Sequence, residues 1–301
     1  MEISRIILPG LKHENIHLLR LDKIHPITGG NKIFKLKYNL KNAILENKRG
    51  IISFGGTVSN HLAALAQASK ENNLNSVGIL RGEERQKTNS TLEFIKSFGM
   101  QLEFISRESY RLKNNSEEVK NILKKYPDYY LVPEGGANID GVLGAMEIMN
   151  FIPSEFEYIF CSCGTGTTFA GLLAASKEHQ HLIGISALRG FDTLAADIEH
   201  LLSEIKLNFP IDSISKKINL LHNYHFGGFA KINSALITFK KDFEVLNGII
   251  LDYIYTSKML FALRQEIFQN PNFKNKKIIA IHTGGTQGNV EMEKRYKIEK
   301  A

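Results

Sequence analysis

Short apolar runs recur along the chain, separated by stretches in which apolar residues return every three or four positions. Five runs are apolar almost throughout and rich in β-branched or aromatic residues: 50–56, 76–80, 158–164, 181–185 and 277–281. Continuous runs are typical of strands buried on both faces, because a half-exposed strand alternates apolar with polar residues. Helical spacing is clear in residues 60–71 and 168–177. The alternation predicts an α/β fold with parallel sheets flanked by helices.

Two segments, residues 104–128 and 190–230, follow neither period, and the pattern predicts no structure for them. The length of 301 residues suits about two domains. Because the chain contains no fixed repeat and no Pro/Ser-rich linker, we expect these domains to be closely joined.

The formal charge of +7 arises from 38 basic and 31 acidic residues, and the basic residues are scattered along the chain. Nucleic-acid binding would need a basic stripe interleaved with aromatic residues, so we expect no nucleic-acid partner. The hydrophobic content of 43% is enough for sizeable buried cores. The surface charge predicts at most a mild attraction for anionic small molecules.

Cysteine usage and the N-terminus bear on the compartment. Cys161 and Cys163 are too close in sequence for an ordinary disulfide and lack the second pair of ligands that a zinc site needs. The N-terminus has no uninterrupted apolar core, and no apolar run reaches the roughly 18 residues that span a bilayer. We therefore expect a cytoplasmic protein without a metal site or a membrane partner.

The first candidate for chemistry is the sequence Thr-Gly-Gly-Asn-Lys at residues 28–32, which is followed by apolar residues at helical spacing. Two glycines allow a sharp turn that brings Lys32 to the start of a helix. Lys32 has two interpretations. It is either a solvated lysine beside Lys35 and Lys37, or a Schiff-base lysine made nucleophilic by burial and nearby positive charge.

The second candidate is the turn at residues 55–61, between a predicted strand and a predicted helix. Ser59 or Asn60 suits an ordinary helix N-cap. Free N–H groups and the helix dipole at the same position also attract an anion such as a carboxylate. His61 would then add a titratable group.

The third candidate is the Gly- and Thr-rich loop at residues 163–171, which follows one predicted strand and opens a helix. Glycines permit close backbone approach and threonine hydroxyls add donors, so this pattern predicts a phosphate cradle. It is not a nucleoside-triphosphate loop, because no Gly-Lys-Ser/Thr follows. It is a poor dinucleotide fingerprint, because Phe169 replaces the third glycine and the acid expected about twenty residues later is missing.

Two later segments carry further polar residues. Residues 251–258 contain Tyr255 and a neighbouring hydroxyl before a helix, and residues 281–286 end a strand in a double-glycine turn after His282. Taken alone, Tyr255 fits a packed aromatic residue and His282 fits a hydrogen-bonded core histidine.

As a set, these motifs resemble those of the 1-aminocyclopropane-1-carboxylate deaminase and D-cysteine desulfhydrase family. Gly29-Gly30-Asn31-Lys32, Ser59-Asn60-His61 and Gly135-Gly136-Ala137-Asn138 occur in the family's order, as do the later motifs at 164–168, 251–258 and 281–285. The resemblance runs from about residue 20 to residue 288. It implies a tryptophan-synthase-β-like fold of type II among enzymes that use pyridoxal 5'-phosphate.

The resemblance implies a role for each matching residue. Lys32 would bind the cofactor covalently, Asn60 would bond its ring hydroxyl, and Thr256 would face its ring nitrogen. Ser59, with the N–H groups of Asn60 and His61, would bind the substrate carboxylate, and Tyr255 would transfer a proton. The phosphate would lie on Gly164, Thr165, Gly166, Thr167 and Thr168.

The family's architecture implies two domains with the cofactor in the cleft between them. The large domain would comprise residues 1–34 and 144–301, and a small parallel α/β domain would comprise residues 35–143. Family members are commonly homodimers, so a homodimer is expected here.

Three departures from the deaminases bear on the reaction. Thr256 stands where they have glutamate, His61 where they have glutamine, and Phe229 in place of a second tyrosine that binds substrate. A threonine holds a proton on the ring nitrogen less firmly than a carboxylate, which suits elimination of a good leaving group better than ring opening. We therefore predict a D-cysteine desulfhydrase, with the cyclopropane deaminase as the alternative. A non-catalytic relative that binds a phosphate-bearing ligand and a nicotinamide-dependent oxidoreductase are remoter alternatives.

Overall fold

The structure is a computed structural model of the chain. It describes residues 1–12, 14–25, 28–82, 89–190, 192–205, 215–273 and 275–298. Every site residue expected from the sequence lies in these ranges.

Strands and helices alternate through most of the chain. The strands are β1 (Ile3–Arg5), β2 (Ile16–Arg20), β3 (Gly50–Gly55), β4 (Asn75–Arg81), β5 (Gln101–Ile105), β6 (Tyr129–Val132), β7 (Tyr158–Cys163), β8 (His181–Ser186), β9 (Leu220–Leu221) and β10 (Ile278–His282). The helices are α1 (Asn31–Leu45), α2 (Asn60–Glu71), α3 (Ser90–Ser97), α4 (Arg107–Leu112), α5 (Glu117–Lys125), α6 (Ile139–Met146), α7 (Thr167–Ala175), α8 (Leu194–Ser203), α9 (Ser234–Asn247), α10 (Thr256–Gln269) and α11 (Asn289–Tyr296).

The strands form two sheets. One has six strands in the order β1-β2-β10-β7-β8-β9, drawn from both ends of the chain, and the other has four in the order β5-β4-β3-β6. The four-stranded sheet is parallel throughout. In the six-stranded sheet the edge strand β1 pairs antiparallel with β2, with Ile3 opposite Leu19, and the other strands pair in parallel. A short connection joins β1 directly to β2, and only antiparallel strands can be joined so closely.

Each sheet is covered by helices on both faces. In β10, Ile278 and Ala280 pack with α9 and α10, whereas Ile279 and Ile281 pack with α6, α7 and α8. Alternate residues of β3 likewise contribute to two separate cores of the four-stranded sheet. Because successive side chains of a strand point to opposite faces, a strand between two helical layers must be apolar at every position. The α/β prediction is confirmed.

The two segments without a clear period are structured where they are described. Residues 104–128 contain the end of β5 with α4 and α5, and residues 190–230 contain α8 and β9. Cys161 and Cys163 are buried and unpaired with each other. No helix of the described ranges is long and apolar enough to span a bilayer.

The carboxyl ends of strands from both sheets open on one cavity. Its walls include residues at the carboxyl ends of β3, β4, β6, β7, β8 and β10 or just after them. Ligands of parallel α/β sheets bind outside the carboxyl ends of the strands, so this cavity is the expected position of a site.

Candidate active site

The cavity measures about 310 Å³. The residues expected from the sequence line it, with the exception of Thr256: Lys32, Ser59, Asn60, His61, Gly164, Thr165, Gly166, Thr167, Thr168, Phe229 and Tyr255. Side chains separated by more than two hundred positions in sequence therefore meet in one volume.

Two glycine turns, far apart in sequence, fix the start of α1. Gly30 and Gly284 form an isolated antiparallel bridge, and the N–H of Asn31 donates to the carbonyl oxygen of Thr283 at 3.3 Å. A Cβ at Gly30 would overlap that oxygen, and one at Gly284 would overlap the carbonyl oxygen of Gly29. Both glycines have positive φ, 138° and 76°. The two turns pack backbone against backbone, which requires glycine on each side.

Lys32 points from the first turn of α1 into the cavity. Its Nζ donates to Asn31 Oδ1 at 2.8 Å and lies 5.9 Å from the centroid of the Tyr255 ring. Burial lowers the pKa of Lys32 to about 8, although the charge of Asp252 opposes the shift. The solvated interpretation instead describes Lys37, whose exposed amine pairs with Glu147 at 2.7 Å.

Lys35 was not expected among the site residues. It lies three positions after Lys32, is 3% exposed, and its Nζ donates to Thr165 Oγ1 at 3.3 Å. Burial, together with the charge of Lys32, holds the pKa of Lys35 well below its usual range. The spacing of Lys32 and Lys35 could have identified Lys35 from the sequence, because residues three apart share one helix face.

The loop between β7 and α7 has the form of an anion site. Gly166 has φ 77°, and a Cβ there would lie 2.6 Å from Ile198 Cγ1. Thr165 Oγ1 and Thr167 Oγ1 are 2.9 Å apart, and Asn31 Nδ2 donates to Thr168 Oγ1 at 2.7 Å. Hydroxyls and free N–H groups at a helix N-terminus, next to the amine of Lys35, favour a phosphate.

The N-terminus of α2 forms the opposite wall. Ser59 is its N-cap and accepts a hydrogen bond from the N–H of Leu62 at 3.2 Å. Asn60 lines the cavity, its Oδ1 accepts from Gln287 Nε2 at 2.9 Å, and its Nδ2 lies against Gly285, where a Cβ would overlap it. Ser59 therefore fits both the capping and the anion-binding interpretation.

His61 is a neutral side chain of this wall. It is 4% exposed, and its Nε2 lies 2.8 Å from Ser53 Oγ. Burial, with the charges of Lys35 and Lys32, holds the pKa of His61 well below its usual range. Its Nδ1 is buried with no hydrogen-bond partner in the described ranges. At neutral pH it offers hydrogen bonding without charge.

Asp252 orients Tyr255 by capping α10. Its carboxylate accepts from the N–H groups of Ile254, Tyr255 and Thr256 at 3.0, 2.6 and 2.8 Å. Burial, reinforced by the charges of Asp252 and Glu134, raises the pKa of Tyr255. The phenol thus keeps its proton at neutral pH and can donate a hydrogen bond.

Thr256 and Phe229 occupy different positions relative to the cavity. Thr256 begins α10 behind the cavity wall, and its buried Oγ1 has no hydrogen-bond partner in the described part of the chain. Phe229 lines the cavity, with its ring centroid 6.4 Å from that of Tyr255. The ring nitrogen of a cofactor would supply the hydrogen-bond partner that the Thr256 hydroxyl lacks.

A polar cluster follows the strands of the four-stranded sheet. Arg81, Tyr110 and Glu134 line the cavity. Tyr110 Oη donates to Glu134 Oε1 at 2.6 Å, and Lys113 Nζ donates to Glu134 Oε2 at 2.7 Å. Sequence reasoning missed this cluster because two of its members lie in the segment 104–128, where no pattern is visible.

The groups in the cavity fit pyridoxal phosphate. Lys32 supplies an amine of lowered pKa for the aldehyde, and the Gly164 loop with Lys35 supplies the phosphate cradle. Asn60 also lines the cavity, and the unsatisfied hydroxyl of Thr256 lies behind its wall. The amine and the phosphate cradle are the contacts that the aldehyde and the phosphate of the cofactor need.

Comparison with known proteins agrees with this fit. A protein of Pyrococcus furiosus named as a putative 1-aminocyclopropane-1-carboxylate deaminase is 31% identical over 271 residues, covering 86% of this chain and 81% of that protein. A mitochondrial protein of Arabidopsis thaliana named as a bifunctional D-cysteine desulfhydrase/1-aminocyclopropane-1-carboxylate deaminase is 31% identical, covering 95% and 76%. A solved structure of an ACC deaminase homologue has a TM-score of 0.82 and 27% identity, covering 97% and 93%.

The family model described as pyridoxal-phosphate dependent enzyme matches residues 6–284, nearly the whole chain. This match confirms the resemblance, the enzyme class and the cofactor expected from the sequence. The chain belongs to the pyridoxal-phosphate dependent enzymes.

Proposed function

We propose that the protein is a D-cysteine desulfhydrase, which converts D-cysteine to pyruvate, sulfide and ammonia. The observation that carries the proposal is the meeting of Lys32, the N-terminus of α2 and the protonated Tyr255 in one cavity. The name of the Arabidopsis relative supports this activity and also supports the alternative, a 1-aminocyclopropane-1-carboxylate deaminase that forms 2-oxobutyrate and ammonia.

In this proposal the cofactor is held by residues at or near the N-termini of four helices, α1, α2, α7 and α10. Lys32 binds its aldehyde carbon, Asn60 donates to its ring hydroxyl, and Thr256 faces its ring nitrogen. Gly164, Thr165, Gly166, Thr167 and Thr168 hold the phosphate, with the amine of Lys35 as a further hydrogen-bond donor beside Thr165. When bound, pyridoxal phosphate withdraws electrons from the substrate's α-carbon and so weakens the bonds to it.

The substrate carboxylate binds at the start of α2. Ser59 Oγ and the N–H groups of Asn60 and His61 lie at the positive end of the helix dipole, which favours an anion. His61 contributes its backbone N–H, while its neutral ring bonds Ser53 and adds no charge to the site. These contacts hold the α-carbon at a fixed orientation, and orientation decides which bond breaks.

Two side chains move protons. Lys32, with a pKa lowered to about 8, is basic enough in its free-amine form to take the α-proton, and Ser59 lies near to relay it. Tyr255 is protonated at neutral pH and lines the cavity beside Lys32, so we assign to it the proton that goes to the departing sulfur.

The environment of the ring nitrogen supports elimination over ring opening. Thr256 offers a hydroxyl, and among the described residues that line the cavity Glu134 is the only carboxylate. Both oxygens of Glu134 are bonded, to Tyr110 and Lys113. Without a carboxylate partner the ring nitrogen is less firmly protonated, and a good leaving group such as sulfide suits this weaker electron sink.

The test is to incubate the purified holoenzyme separately with D-cysteine, L-cysteine, D-serine and 1-aminocyclopropane-1-carboxylate. We expect sulfide and pyruvate from D-cysteine. Release of 2-oxobutyrate from the cyclopropane amino acid, with no sulfide from either cysteine, would replace the proposal with the deaminase.

Variants of α1 supply the control. Lys32→Ala should abolish the absorbance band of the lysine-bound cofactor, whereas Lys37→Ala, which removes an exposed lysine of the same helix, should leave it intact. Retention of the band in the Lys32 variant would disprove the assignment of this lysine.

Three further expectations belong to the proposal. The protein is a cytoplasmic homodimer, and its small domain comprises residues 35–143. The separate four-stranded sheet within residues 50–132 supports the domain limits.

A further inference from the structure

Lys258, in the first turn of α10, is fully buried and does not line the cavity. Its Nζ donates to the carbonyl oxygens of Gly228 at 2.8 Å, His225 at 2.9 Å and Ala187 at 3.4 Å. An ammonium has three donors. All three are used by backbone carbonyls from two separate loops.

Both loops carry a residue of the cavity wall. Ala187 precedes Leu188, and Gly228 precedes Phe229, and Leu188 and Phe229 both line the cavity. Lys258 therefore joins two parts of the wall that lie about forty positions apart in sequence.

The loop that carries Phe229 has an unfavourable backbone. Phe226 and Ala230 have φ of 53° and 52°, and Gly227 and Gly228 have φ of 96° and 116°. Non-glycine residues at positive φ persist only where the surroundings impose them. The bonds from Lys258 to His225 and Gly228 lie on either side of Phe226 and Gly227 and add to the turn bonds of the loop itself.

The ammonium occupies a position that suits a cation. Several backbone carbonyls converging on one point form the kind of shell that binds a monovalent metal ion. The nearby charge of Asp252 favours the charged lysine, while burial lowers its pKa to about 8. The positive charge thus comes from the chain itself.

We propose that Lys258 is a positioning residue, whose ammonium acts as a fixed cation that holds the Phe229 loop and Leu188 against the substrate. The kinetic part of this proposal rests on the proposed function. The structural part concerns loop order alone and requires no substrate.

The test compares Lys258→Met with Lys240→Met in the holoenzyme. Lys240 is a matched control, because it is 3% exposed but pairs with Glu244 away from the cavity. In Lys258→Met we expect amide hydrogen exchange in residues 222–230 to be about ten- to a hundredfold faster, since charge-assisted bonds to the loop are lost. Lys240→Met should leave exchange in this loop unchanged. Unchanged loop exchange in Lys258→Met, or equal acceleration in both variants, would overturn the proposal.

A second variant tests the charge. In Lys258→Ala, potassium chloride should slow exchange in the loop, and choline chloride at equal ionic strength should not, because only the small cation fits between the carbonyls. Equal exchange in the two salts would show that a cation does not hold the loop.

Kinetics separate positioning from general loss of structure. With the substrate that the enzyme turns over, we expect Lys258→Met to raise KM about tenfold while kcat changes less than about twofold, because a wall residue has moved and the reacting groups have not. An equal loss in kcat would contradict this. If no tested amino acid is turned over, the exchange experiment still decides the structural part, so failure of the proposed function is distinguishable.

Discussion

Burial sets the protonation of the titratable side chains around the cavity. Lys32 and Lys35 have lowered pKa values, His61 is held neutral, and Tyr255 keeps its proton, in each case chiefly because burial disfavours the charged form. Near neutral pH the cavity thus contains lysine amines that lose their proton more readily than usual, together with a protonated phenol. A nucleophile and a proton donor coexist there.

The pKa of Lys32 predicts a pH dependence of cofactor binding. Below this pKa the ammonium has no lone pair, and above it the free amine attacks the aldehyde, so incorporation into apoprotein should accelerate as pH rises. We expect the midpoint near 8 rather than the ordinary 10.5. Stopped-flow absorbance of the lysine-bound cofactor measures the rate. A midpoint near 10.5 would show that Lys32 is solvated.

Tyr255→Phe tests the proposed proton donor. We expect retention of the cofactor band and a fall in kcat of roughly 10²–10⁴-fold, the usual contribution of a positioned acid or base. Steady-state release of sulfide measures the effect. Tyr253→Phe, a buried neighbour outside the cavity, should keep kcat within about twofold. Similar losses in both variants would argue against a chemical role.

At the level of elements, the carboxyl end of β10 and the start of α1 depend on each other. The turns at Gly29-Gly30 and Thr283-Gly284 contact through their backbones, and this contact sets the direction in which Lys32 enters the cavity. The sequence revealed two double-glycine turns but gave no sign that one packs on the other.

This contact predicts that Gly284→Ala will be disruptive. Its Cβ would overlap the carbonyl oxygen of Gly29, so we expect the lysine-bound cofactor to be lost and the midpoint of urea unfolding to fall. Gly190→Ala is the matched control, because Gly190 also has positive φ but no atom within 4 Å of its Cβ. It should show only the smaller cost of a left-handed alanine, about 1 kcal/mol. Equal effects of the two substitutions would show that the close contact between Gly284 and Gly29 is unimportant.

Across the whole molecule, two sheets direct their carboxyl ends toward one cavity, and exposed apolar side chains lie near the N-terminus and the end of α9. Asn247 bonds the backbone of Ile7 and so brings the N-terminus beside the end of α9. Val245, Ile250 and Ile7 are 84%, 63% and 54% exposed there. Clustered exposed apolar residues are typical of protein contacts.

We therefore expect the proposed homodimer to use this surface. Sedimentation equilibrium should give twice the mass of one chain, and Val245→Asp should weaken association about tenfold or more, because a charge would be buried in an apolar contact. Leu45→Asp, a change at another exposed apolar residue, should not weaken it. A single-chain mass at all concentrations would refute the homodimer.

The sequence alone determined the features that depend on residues close together in the chain. Continuous apolar runs specified strands that are buried on both faces, and the helix at 60–71 was predicted within its observed limits, because periodicity is a local consequence of burial. The motifs around Lys32, Ser59 and Gly164 also identified the cofactor through their resemblance to a known family. A motif can be matched one residue at a time, without knowledge of the fold. The sequence could not predict the antiparallel β1, since a three-residue strand carries almost no pattern.

Only the tertiary structure decided which residues meet. Glu134 with Tyr110, the Gly30 and Gly284 turns, and Lys258 with the Phe229 loop are contacts between segments that lie far apart in the chain. Their spacing in sequence has no period, and their energies depend on burial that exists only after the sheets have assembled. The same burial converts Lys32 from an ordinary surface cation into a reactive amine.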